Sequence, residues 1–118
     1  YERLTLLIDR MQPPNLLARV QTPKMNTQSL HRVLIQSIRS EYNHNMSQQV
    51  YISDETWDLI NQGKDQLISL INAQITATDP KADGIELGKL IIEASLSEHK
   101  WLLDDALTHL KKEFRENY

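Results

Sequence analysis

Glycine and proline punctuate this chain so sparingly that little besides helix fits between them: its 118 residues hold three glycines and four prolines. Proline lacks the backbone N–H that a helix interior requires and its ring clashes with the preceding turn, so Pro13, Pro14, Pro23 and Pro80 mark breaks. Between the breaks apolar residues recur at three- and four-residue steps, and no stretch alternates as a half-buried strand does. The chain is therefore expected to be all-α. Its expected form is a helical bundle of about four main helices, preceded by a short N-terminal helix and an elbow and forming one domain over residues 1–118.

Leu4, Leu7, Ile8 and Met11 define the inner face of the first helix, which Pro13 and Pro14 interrupt. Asn15 is placed to cap a short turn carrying Leu16, Leu17 and Val20, closed by Pro23. Asn26 or Thr27 starts a long helix to about Tyr42, with Leu30, Val33, Leu34 and Ile38 inward and Arg32 and Arg39 outward. Ser53 is an N-cap for the next helix, because Asp54, Glu55 and Asp58 follow it where the helix dipole favours negative charge. From there Trp57, Ile60, Lys64, Leu67, Ile71 and Ile75 follow a near-heptad seam to about Ala77, Ile68 widens it, and Gly63 is its weak position. Residues 78–84 read as a long, exposed polar connector, and Asp83 caps a helix bearing Leu87, Leu90, Ile91 and Ala94. Ser97 either caps a last helix or lies within a continuous one. Leu103, Leu107, Leu110 and Phe114 form the final stripe, with Lys111, Lys112 and Arg115 in the last turns.

Much chemistry is excluded. With no cysteine there is no disulfide framework, thiolate zinc site or thiol nucleophile. No His-Glu-x-x-His occurs; Glu98 and His99 diverge around a helix, and His109 stands too far from His99 to share an ion with it. Glu93, Asp104 and Asp105 lack the Glu-x-x-His elements of a di-iron bundle. Gly63, Gly84 and Gly88 are not spaced as a phosphate loop, and Ser47 near His44 has no third partner. Neither a cofactor, a metal nor an enzymatic activity is expected, and a pI near 5.8 argues against nucleic acid. The net charge of −3 hides a split: residues 1–50 carry six Lys/Arg against three Asp/Glu, and residues 51–118 seven against thirteen. A split of this kind suits solvated helix faces, an anionic membrane surface beside the basic half, or head-to-tail pairing of copies.

The stretch 43–52 loses the helical period and is rich in amides, so it reads as an irregular or briefly helical connector. Tyr42, His44, Gln48, Gln49 and Tyr51 gather hydrogen-bonding side chains there and are the candidate interaction or ligand surface. The competing account is that these groups satisfy the exposed backbone ends of two helices. Trp57 and Trp101 stand beside core stripes, as half-buried packing or as interface anchors.

Tyr1-Glu2-Arg3-Leu4 with Leu7, Pro14-Asn15-Leu16-Leu17 with Arg19-Val20, and the run from Glu41 to Glu55 with Trp57 resemble an uncharacterised family of small Bacteroidetes proteins. In that family a similar segment follows an N-terminal membrane helix. The resemblance implies that this chain is the soluble part of a protein anchored in the inner membrane. It supplies no functional residues. A basic half nearest the bilayer agrees with a cytoplasmic domain. The leading expectation is a non-enzymatic, membrane-tethered interaction or scaffold domain, with a protein partner or a second copy as its ligand. The alternative is a small-ligand or catalytic site lined by the Tyr42–Tyr51 connector.

Overall fold

The computed structural model describes Tyr1 to Asn117, and it is all-α: α1 Glu2–Met11, α2 Pro13–Val20, α3 Thr27–His44, a 3-10 turn Met46–Tyr51, α4 Asp54–Ile75, α5 Gly84–Ser97 and α6 Leu102–Asn117. The helices pack as a bundle whose most extensive interface is α4 on α6, with α3 against α4 and α5, and α1 and α2 closing the far side. The Cα extents are 49 × 28 × 18 Å. With helix axes about 8–10 Å apart, 18 Å is two layers, so helices keep an outward face.

Local chemistry sets most boundaries. Gln12 is extended (φ −62°, ψ 134°), as the residue before a proline prefers, and α2 then begins on Pro13 and Pro14, where the missing N–H groups cost nothing. Asn15 does not cap α2 as expected. It lies inside the first turn, and its Nδ2 donates to the Asp9 carbonyl at 2.9 Å, serving the end of α1 instead. Asn26 caps α3, its Oδ1 accepting from Ser29 N at 2.8 Å; Ser53 Oγ and Asp83 Oδ1 do the same for Thr56 N and Ile85 N. α3 runs to His44 rather than Tyr42, because Asn45 Nδ2 donates to the Glu41 carbonyl and His44 Nδ1 to the Ser40 carbonyl.

The interior is aliphatic. Leu4, Ile8, Met11, Leu30, Leu34, Ile38, Ile60, Leu67, Ile71, Leu87 and Leu103 are wholly buried, each such side chain contributing about 1.5–3 kcal/mol. In the α4 seam Lys64 is not a core residue. It sits at the edge with its Nζ 4.2 Å from the centre of the Tyr42 ring and 3.3 Å from the Asp65 carboxylate. Gly63 occupies the buried position, and a Cβ there would stand 2.8 Å from Leu103 Cδ2 and 3.1 Å from Leu103 N. The weak residue of the helix is thus the one that lets α6 approach it.

Two connections differ from expectation. The side chains of the 78–84 connector are mostly exposed, but its backbone is engaged: Thr27 N donates to Ala82 O at 2.9 Å, Gly84 N to Met25 O at 2.8 Å, and Thr27 Oγ1 to Asp79 O at 2.6 Å. These bonds staple the start of α5 to the start of α3. Ser97 does not cap the last helix. It ends α5, its Oγ donating to the carbonyls of Glu93 and Ala94, and α6 begins at Leu102. The opening of α6 is held from α4, where Gln66 Oε1 accepts from Leu102 N and Gln66 Nε2 donates to Lys100 O, both at 2.8 Å.

Candidate docking surface

The bundle divides the five candidate residues of the α3–α4 connection. Tyr42 belongs to the core: it is 9% exposed, its ring stacks on Trp57 with centroids 5.1 Å apart, and the Lys64 ammonium also lies over the ring. Burial, with the Asp65 and Asp58 carboxylates nearby, raises its phenol above the ordinary value, against a smaller lowering by Trp57. His44 is exposed with Nδ1 on the Ser40 carbonyl, a helix-ending role. Gln48 is half-buried and Gln49 exposed. Tyr51 leaves the others and turns toward α6, where with Ile52 it forms one wall of a cleft of about 170 Å³.

The remaining walls come from both ends of the chain: Tyr1, and Leu110, Glu113 and Phe114 of α6. The rings of Tyr1 and Phe114 stack with centroids 4.2 Å apart at 28°. Tyr51 is 68% exposed and its neighbour Val50 76%, so the cleft opens onto apolar surface. Glu113 anchors the arrangement. Its carboxylate accepts from Ser53 N at 2.9 Å, from Thr56 Oγ1 at 2.7 Å and from Ser53 Oγ, so α6 is clamped to the first turn of α4. Burial works to raise this carboxyl, but the hydrogen bonds from Ser53 and Thr56 outweigh it and, with His109, hold it below the ordinary glutamate value.

Of the residues lining this cleft, Tyr51 is among the candidates the sequence singles out, and Tyr1 and Glu113 are not. Tyr1 precedes the first helix and carries no periodic signal. Spacing puts Phe114 on the core stripe of α6, whereas it lies past the buried part of the bundle and is 39% exposed. The basic face expected on α3 is a broader, open cleft lined by His31, Arg32, Ile35, Gln36, Arg39 and Asn72, in which His31 Nε2 lies 2.8 Å from Asn72 Oδ1. Part of the basic half is engaged internally, since Arg10 and Arg19 converge on Glu41 and Arg3 donates to the His44 carbonyl.

A family model matches residues 1–117, almost the whole chain. The chain belongs to DUF7935, a family of unknown function. No curated protein and no solved structure matches it. Among the described residues no helix is long and apolar enough to cross a membrane, and no group of three His, Asp or Glu side chains is placed to hold a metal ion. A cleft of about 170 Å³ is smaller than the roughly 300–1,000 Å³ of small-molecule sites.

Proposed function

We propose that this is a non-enzymatic interaction domain, held at a membrane by a segment ahead of Tyr1, which receives a large apolar side chain of a protein partner in its aromatic cleft. The observation that carries this is the meeting of Tyr1, Tyr51 and Phe114 around one cleft beside exposed Val50, an apolar surface larger than isolated surface residues make. The likeness of its first residues to a family with a preceding membrane helix supports the tether. Tyr1 itself lines the cleft, so tether and docking surface share one end of the bundle. The excess of Lys and Arg in residues 1–50 supports the cytoplasmic side of an inner membrane.

The test uses the full-length protein in its native host, with a photoreactive residue at Tyr51 or, as a control, at exposed Ser69 on α4. The expected result is flotation with membranes and one discrete protein adduct from position 51 that position 69 does not give. Equal adduct patterns from both positions would remove the cleft as the docking surface, and recovery in the soluble fraction would remove the tether.

A further inference from the structure

α5 carries more apolar surface than the bundle covers. Leu87 and Ile91 point inward and are buried, yet Ile85 is 43% exposed, Leu96 80%, and Ile92 only partly covered. A helix turns about 100° per residue, so positions 85, 92 and 96 lie within roughly 20° of one line along its outer face. On one side of that line, about 40° and 80° away by the same count, stand exposed Lys89 and Glu93. On the other side Gly88 faces the end of α2, where a Cβ would come within 2.8 Å of Oε1 of the capping residue Gln21. An open apolar groove of about 440 Å³ runs there, walled by Pro14, Leu17, Ala18, Pro23, Ile85 and Ile92. A solvent-exposed leucine on the same stripe as a groove is a knob without a hole.

We infer that α5 is the face on which a second copy of this chain docks, antiparallel and through a two-fold axis passing near Ile91. The pattern is self-complementary about that axis. Ile85 of one copy comes level with Leu96 of the other, Ile92 meets Ile92, and Lys89 meets Glu93. An axis perpendicular to both helices keeps each flank on its own side, so the two charged flanks face each other and each Lys89 is offered a carboxylate. The apolar flanks likewise meet, and Leu96 of each copy reaches the mouth of the groove beside Ile85 of the other, as a knob enters a hole. Among the described residues no other helix of this chain fills that place, and the contact is separate from the aromatic cleft, since Tyr1, Tyr51 and Phe114 take no part in it.

The chain contains no cysteine, so a single introduced thiol reports proximity without background. With Ile92→Cys a short bismaleimide is expected to join two copies into a covalent dimer, while Ser69→Cys gives none. In sedimentation velocity up to high micromolar concentration the unaltered chain is expected to dimerise. Lys89→Glu is expected to weaken the dimer roughly tenfold, because two symmetry-related pairs are lost together. The double exchange Lys89→Glu with Glu93→Lys is expected to restore it, an outcome that a merely misfolded variant cannot give. Leu96→Asp is expected to leave a folded monomer by circular dichroism. A chain that stays monomeric and is not joined through the thiol of the Ile92→Cys variant, a dimer indifferent to Leu96→Asp, or a different protein seated on α5 of a monomer would each overturn the inference.

Discussion

α4 and α5 both read as apolar helices, but they meet opposite fates. α4 has one stripe, and the bundle closes over it: Ile60, Leu67 and Ile71 are wholly buried, and Gly63 admits Leu103 of α6. α5 has two stripes on opposite faces, and the bundle takes only the one with Leu87 and Ile91. A helix apolar on both faces is ordinarily surrounded by protein. In a fold two helix layers thick, α5 is not, and its outer stripe is left uncovered by its own chain. Periodicity tells that a stripe exists; the layer count decides whether the same chain covers it.

The largest loss of stability is expected in α4. Ile71→Ala is expected to cost about 2–5 kcal/mol in urea unfolding, the loss for a large aliphatic core residue in a site that cannot collapse. A loss below about 1 kcal/mol there would mean that the α4 stripe is loosely packed. Gly63→Ala comes next. Alanine favours a helix by about 1 kcal/mol, but its Cβ would meet both the side chain and the backbone of Leu103, and overpacking costs about 1–3 kcal/mol. A net loss is expected, read as a lower thermal midpoint; a rise would show that α6 can move away freely.

A smaller effect is expected at the junction of α4 and α6. The Glu113 carboxyl sits below its ordinary value in the folded chain, so the stability it contributes is present above the unfolded value and lost as pH falls through the folded one. Glu113→Gln is expected to flatten that acid limb of a stability-against-pH curve, with little change in the limb above neutrality. Equal acid slopes in both proteins would show that the clamp on Ser53 and Thr56 contributes nothing.

Where a boundary is set by neighbours in sequence, it is legible. Asn26, Ser53 and Asp83 cap α3, α4 and α5 through atoms two or three residues away, and Leu4, Leu7, Ile8 and Met11 face inward as their spacing requires. Where a distant residue decides, it is not. Ser97 has the chemistry of a cap, but the α6 opening is held by Gln66, 36 residues away from Leu102. Gly63 looks like a flaw until the approach of Leu103 is visible. The aromatic cleft divides in the same way: Tyr51 stands out in an amide-rich connector, but its company of Tyr1 and Phe114 is a product of the fold. Tyr42, adjacent to the connector, goes into the core because its ring completes a stack on Trp57.

The contrast between a covered and an uncovered stripe is tested most directly by urea unfolding of Leu67→Ala and Leu96→Ala, side by side, at a protein concentration low enough to keep the chain monomeric. Leu67→Ala is expected to lose about 2–5 kcal/mol and Leu96→Ala to stay within about 0.5 kcal/mol of the unaltered chain. A comparable loss in both would contradict the account, because Leu96 would then be packed within its own chain.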